Sequence, residues 1–427
     1  MPLSRRFLLI LGFCLSAGLA GIASADLRGH GGPVRALAVA PNGSTILSGS
    51  FDTTAILWDG GTETAGRVLR GHEDSVNAAV FADDGTAITA GQDGYVLSWS
   101  VEGEGEPRAL HRHNGPVVAL ALSPDGGQVA SASWDGTVRL FDLEAGDYRE
   151  LSGHQGNVNA VGFLADGRVV SAGYDLTVRV WPAGGDGAAR VFTLAAPLNA
   201  LAVTRAGKII AAGADGIVRI LDADGAPAGE IETAPVPVTA LALSRDDTLV
   251  AAALIDGSVW LIDMASRDVV RTIQGADSPV WSLAFDRSGM LMTGGGDRVV
   301  RRWDPATGEQ LDESDEIASA GAAVMDGSRG AEVFRACEAC HTLTEDGGNR
   351  AGPTLHGIFG RPIASVEGYD YSEAFRELDI VWTPETVSEL FDVGPNHYTP
   401  GTKMPEQRIA SAEDRKALME FLERTTR

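Results

Sequence analysis

Seven aspartates, Asp52, Asp93, Asp135, Asp175, Asp215, Asp256 and Asp297, recur at intervals of 40 to 42 residues, and six residues after each stands Trp58, Trp99, Phe141, Trp181, Leu221, Ile262 or Trp303. A fixed period of this length restricts the chain to a stack or ring of like units. Upstream of the first four aspartates stand His30, His72, His113 and His154. Between histidine and aspartate run β-patterned segments such as VRALAVAPNGSTILSGSFD, broken by a PNG, ADDG or SPDG turn. This pattern predicts antiparallel strands, three per unit, with a fourth in links such as RVLRGH and RELSGH. One such sheet is too small to bury its own faces. Seven stacked radially bury them and protect most edges, giving an all-β seven-bladed propeller.

These residues resemble the WD-repeat β-propellers over roughly residues 27 to 312. The resemblance implies that histidine, a strand serine or threonine, the turn aspartate and the tryptophan form a buried hydrogen-bonded set in each blade. Repeats 1, 2 and 4 carry His, Asp and Trp, whereas repeat 3 has Phe141 for the tryptophan. Repeats 5 and 6 lack both histidine and aromatic partner, and repeat 7 lacks the histidine, so their aspartates need other partners. Either DLRG or EQLDE could supply the last outer strand. His111 lies off the repeat position, in a link, and a structural role there is preferred over metal or cofactor ligation. The resemblance also implies that the residue before each aspartate points to one circular face: Phe51, Gln92, Trp134, Tyr174, Ala214, Ile255 and Gly296. A second set, Arg35, Asn77, Val118, Asn159, Asn199, Thr239 and Trp281, should lie near it. Aromatics gathered on one face are typical docking anchors, so Phe51, Trp134, Tyr174 and Trp281 are expected to receive a protein partner.

Beyond a linker rich in Ala, Gly, Ser and acid (313–325), the chain changes character: RACEACHTL carries Cys337, Cys340 and His341 as C-x-x-C-H. This spacing suits covalent haem, because two thiols add to the two vinyl groups while the adjacent imidazole reaches the iron. Zinc would need further ligands of which only His356 and His397 are near, and a thioredoxin-like site would need a βαβ context. The opposite ligand should be a soft donor on a loop, and YTPGTKMP offers Met404. A His/Met iron has no vacant position and favours electron transfer over oxygen chemistry.

This segment, 326–427, is similar to the small class I c-type cytochromes of the soluble mitochondrial and bacterial kind, on GPTLHGIFGR, GYDYS, Trp382 and PGTKM. The resemblance implies one covalently bound haem c, with His341 and Met404 on iron and the Pro353 carbonyl accepting from His341. It further implies that Arg361, Tyr371, Trp382 and Thr402 hold the haem propionates. Phe375, and Leu390 or Phe391, replace polar groups usual in the family. The terminal segment SAEDRKALMEFLERTT opens near a capping box and predicts a helix packed through Leu418, Phe421 and Leu422 on a first helix near Gly330 and Phe334.

Residues 1–25 read as a secretory signal peptide, with Arg5 and Arg6 before an apolar run and an Ala23-Ser24-Ala25 end, either ordinary or twin-arginine. Periplasmic export without a membrane span is expected. The lipoprotein reading at Cys14 is disfavoured by the bulky Phe13 before it. Cleavage after Ala25 would take the formal charge from −24 to −26. Such a balance argues against nucleic acid, which calls for a basic footprint. The terminal segment has 18 acidic and 11 basic residues, which disfavours docking on an acidic surface. The expected function is electron transfer, with the propeller (26–312) holding the partner. The alternatives are a dehydrogenase or reductase with a substrate or second cofactor in the propeller, and a redox sensor.

Overall fold

The structure is a computed structural model that describes residues 26–61, 65–103, 105–275, 278–311, 326–338, 341–344, 352–366, 369, 371, 373–400, 402, 404 and 408–427. The expected signal peptide and linker lie outside these residues, as does Cys340.

Among the described residues, seven four-stranded antiparallel sheets follow one another as blades, each running from an inner to an outer strand. Blade 1 is made of Val34–Val39, Thr45–Ser50, Thr54–Asp59 and Ala65–Arg70. Most apolar side chains of the second and third strands are buried, yet they pack mostly across blade boundaries. Leu47, Leu57 and Leu69 of blade 1 meet Val76, Phe81 and Trp99 of blade 2, and Met292 and Val300 of blade 7 meet Val34, Ile46 and Trp58 of blade 1. The core therefore belongs to the ring and not to any one blade.

Both candidate segments contribute to ring closure. Leu27 and Arg28 pair with Val300 and Val299 as the outer strand of blade 7, and Gln310 bridges to Trp303 on the same strand. Gln310 Nε2 donates to Asp26 Oδ1 at 2.8 Å, joining the two ends.

Blades 1, 2 and 4 contain the expected hydrogen-bonded chain. In blade 1, Trp58 Nε1–H donates to Ser48 Oγ (2.7 Å), the hydroxyl donates to His30 Nε2 (2.7 Å), and His30 Nδ1–H donates to Asp52 (3.0 Å). Trp99, Thr89, His72 and Asp93 repeat it, as do Trp181, Ser171, His154 and Asp175. The aspartate also accepts from backbone amides, as Asp52 does from Gly31 and Thr54. Burial raises the Asp52 and Asp175 carboxyls, but hydrogen bonds and the histidine outweigh it and hold both at about 2.

Blade 3 solves the loss of its indole in a way the sequence reading missed. His111 lies in the link that forms the outer strand of blade 2, Arg108–Arg112, and is 7% exposed. Its ring stacks on Phe141 at 5.6 Å and its Nε2 lies 2.9 Å from Ser131 Oγ, the oxygen whose proton goes to His113 Nε2 at 2.8 Å. His113 Nδ1–H is committed to Asp135, so His111 supplies the Nε2–H that tryptophan supplies elsewhere. Its Nδ1 is buried without a hydrogen-bond partner among the described residues. Burial above all, then His113 and Arg139, pulls the His111 imidazole down to about 3.

The blades without histidine use a different partner. Asp215 pairs with Arg219 at 2.5 Å and Asp297 with Arg301, each four residues on along the strand. Asp256 accepts from the amide and hydroxyl of Ser258, at 3.0 and 2.7 Å.

The C-terminal module is helical, with α1 Arg329–Glu338, α2 Glu373–Arg376, α3 Pro384–Val393, α4 Pro395–Tyr398 and α5 Ala412–Thr425. Ser411 caps α5 by accepting from the Asp414 amide at 3.1 Å. Phe334 and Phe421 meet at 5.5 Å between α1 and α5. A Cβ on Gly330 would fall 2.1 Å from the Ala417 carbonyl oxygen, so only glycine permits this close crossing.

Candidate functional site

One apolar crevice in the module is lined by Phe334, Cys337, Leu355, Ile358, Leu390, Phe391, Leu418 and Leu422, with His341 and Met404 also on its wall. His341 leaves the end of α1, its amide bonding the Cys337 carbonyl at 3.0 Å. Its Nδ1 lies 2.7 Å from the Pro353 carbonyl oxygen, which can only accept, so Nδ1 carries the proton and Nε2 keeps a lone pair. Gly352, which the sequence reading passed over, makes this possible. A Cβ there would stand 2.4 to 2.8 Å from three atoms of the imidazole ring. The signal was present in the sequence as a glycine directly before Pro353, whose carbonyl is the expected acceptor.

Met404 is held at its backbone, where its amide donates to Thr402 Oγ1 at 3.0 Å, while the Thr402 amide bonds the Thr399 carbonyl. Arg361, Tyr369, Tyr371 and Trp382 line the same crevice. Two Arg361 donors are already engaged, on the carbonyls of His356 and Thr354, both at 2.7 Å, which fixes the guanidinium. Tyr371 is buried, stacks on Phe375 at 5.7 Å, and has its hydroxyl pKa raised by burial against the opposing pull of Arg361. Trp382 is placed by reciprocal backbone bonds, its amide to Arg361 and its carbonyl from Gly360. Phe375, Leu390 and Phe391 leave the crevice wall apolar where the family has polar groups. An apolar slot with one lone-pair nitrogen, one thioether sulfur, a buried cysteine and a polar end fits a haem. Among the described residues there is no separate group of three or more His, Cys, Asp or Glu suited to a metal ion.

On the propeller, Trp134, Tyr174 and Trp281 line a single depression at the inner strands, together with Arg35, Asn159, Asn199 and Thr239. Trp134 and Tyr174 are 42% and 57% exposed, and Phe51, at 45%, is exposed outside that depression. The second set of face residues also joins neighbouring blades. Asn77, Asn159 and Asn199 donate their side-chain amides to the carbonyls of Val117, Leu198 and Val238, and Thr239 donates to Val280. Arg35 lies over the Trp281 ring at 5.1 Å, across the closure between blades 7 and 1.

These features define a class: a seven-bladed WD-repeat propeller followed by a small helical cytochrome c domain. The WD domain, G-beta repeat model matches residues 22–59, 64–100, 106–142, 147–182 and 267–304. Blades 5 and 6, which lack the histidine and the aromatic, fall between the matched segments. The cytochrome c model matches residues 327–426. The segment is 42% identical to cytochrome c of Gibberella zeae over 100 residues, 23% of this chain and 93% of that protein. It is 42% identical to cytochrome c of Stellaria longipes over 103 residues, 24% of this chain and 94% of that protein. In its C-terminal quarter the chain belongs to the cytochrome c family, which assigns electron transfer and a covalently bound haem to that domain. No helix among the described residues is long and apolar enough to cross a membrane.

Proposed function

We propose that the chain is a periplasmic electron carrier whose one haem, linked to Cys337 and Cys340 and ligated by His341 and Met404, is tethered to a propeller that docks a redox partner. The observation that supports this most is the His341 ring, held against the Pro353 carbonyl at 2.7 Å with Met404 on the wall of the same crevice. When bound, the haem supplies a one-electron couple. The protein's part is to orient His341 Nε2, to keep the crevice dry with Phe334, Ile358, Leu390 and Leu422, and to offer donors at one end. Arg361, Tyr371, Trp382 and Thr402 would hold the propionates, which could not be buried at acceptable cost without such partners. The linker keeps the module near whatever the face holds, raising effective concentration without new chemistry. WD propellers commonly mediate protein association, and Trp134, Tyr174 and Trp281 gathered at one depression, with Phe51 exposed apart, support that use here.

The test of the ligand set is Met404→Ala in the full chain. The expected result is iron that binds added imidazole or cyanide readily and has a lowered midpoint potential, with haem still covalent. Wild-type protein that binds cyanide as readily as the variant would contradict Met404 as a ligand.

A further inference from the structure

Most of the propeller's buried or half-buried arginines have a carboxylate or a backbone carbonyl as partner, as Arg67 and Arg271 have carbonyls. Arg139, Arg179, Arg219, Arg301 and Arg302 each pair with a carboxylate of the propeller. Arg35, on the inner strand Val34–Val39 of blade 1, pairs with no carboxylate among the described residues, and its guanidinium lies over the face of Trp281. Burial lowers its pKa with no nearby carboxylate to offset it. Holding a partly desolvated cation without an anion costs free energy, and a ring contact returns only part of that. In a chain with formal charge −24 carboxylates are plentiful, yet none lines this depression.

The other donors at the site are largely spent. Asn159 gives its amide to Leu198 and takes the indole N–H of Trp134 on its oxygen. Asn199 donates to Val238. Asn157 also lines the depression, and its side chain makes no hydrogen bond with any described residue. The remaining walls are Trp134, Tyr174 and Trp281 together with Val118, Pro237, Thr239 and Ile255. One cation and one spare amide on an aromatic-walled recess are complementary to an anion carried on a flat apolar body.

We propose that this channel mouth binds a small organic carboxylate, its anionic end on the Arg35 guanidinium and its body against the aromatic walls. The site lies within the propeller and does not depend on the haem ligands, and it shares Trp134, Tyr174 and Trp281 with the face proposed to dock a partner. An acidic side chain of a docked protein could present the same chemistry, but the depth of Arg35 beside Trp281 suits a free ligand.

The probe is benzoate, with benzamide as its neutral counterpart, titrated calorimetrically into the full haem-loaded chain. The account expects one saturable benzoate site in the millimolar range or tighter, benzamide at least about tenfold weaker, and a comparable loss in Arg35→Gln. Arg35→Lys, which keeps the charge if the closure needs it, should retain measurable binding. N-acetylglutamate amide, a model of an acidic side chain, should bind more weakly than benzoate. No saturable benzoate binding, equal binding of benzamide, or unchanged binding in a folded Arg35→Gln would overturn the proposal. Tighter binding of the glutamate model would transfer the site to a protein partner and likewise overturn it.

Discussion

At the scale of single residues, blade 3 shows how a missing indole is replaced from next door. The His-Asp-Trp offsets made three hydrogen-bonded sets legible in the sequence, because each set lies within one repeat. His111 was not legible in the same way. It precedes the repeat histidine His113 by only two residues, and its partner Ser131 becomes adjacent only when blades 2 and 3 stack. His111→Ala should destabilise the propeller by about 2–3 kcal/mol, through a lost donor and a cavity over Phe141. Adding Phe141→Trp should recover part of that, whereas Phe141→Trp alone should be destabilising because His111 occupies the space. A denaturant double-mutant cycle checks this, and additive effects would contradict it. The pH dependence follows with a definite sign. His111 is neutral in the fold down to about 3 but titrates near its ordinary 6.5 when unfolded, so the unfolded state takes up the proton first. Wild-type stability should therefore fall as pH drops from about 6.5 toward 3, and His111→Ala should lose less over that window.

At the scale of elements, the blades that depart from the repeat keep its aspartate and change its partner. Asp215 with Arg219 and Asp297 with Arg301 were visible in the sequence as Asp-x-x-x-Arg, a turn aspartate followed by an arginine on the strand it leads into. The reading overlooked them because it sought the histidine upstream and not an arginine downstream. Arg219 is only 4% exposed at its side chain, so Arg219→Met should cost about 1–3 kcal/mol by leaving Asp215 without its charge partner. A cost near zero would mean that backbone amides alone satisfy Asp215. Ring closure could not be read from the chain, since DLRG and EQLDE have equal strand character. The structure divides one strand edge between Leu27–Arg28 and Gln310. In the module, the terminal helix and its apolar face of Leu418, Phe421 and Leu422 were legible, as was a first helix near Gly330 and Phe334, whereas the helices between them were not read. The need for Gly352 arises only from the approach of His341 across the crevice.

At the scale of the whole molecule, two physically different units divide the work: a ring whose core is shared between blades, and a small helical domain with a crevice for one haem. If the exposed aromatics hold a partner, Trp134→Ala with Tyr174→Ala should weaken the full chain's affinity for that partner by about tenfold or more while leaving the haem potential unchanged. Unchanged affinity would remove the propeller face from the account. The central claim is that the propeller adds association to a single-haem carrier and brings no second redox centre. An inventory of cofactors in the full-length protein purified from its native compartment tests this most directly, counting haem per chain, metals by elemental analysis and bound organic mass. The account predicts one covalent haem, its iron, and no other stoichiometric redox cofactor. A second stoichiometric redox cofactor would contradict it and make the chain a dehydrogenase or reductase with the haem as its relay.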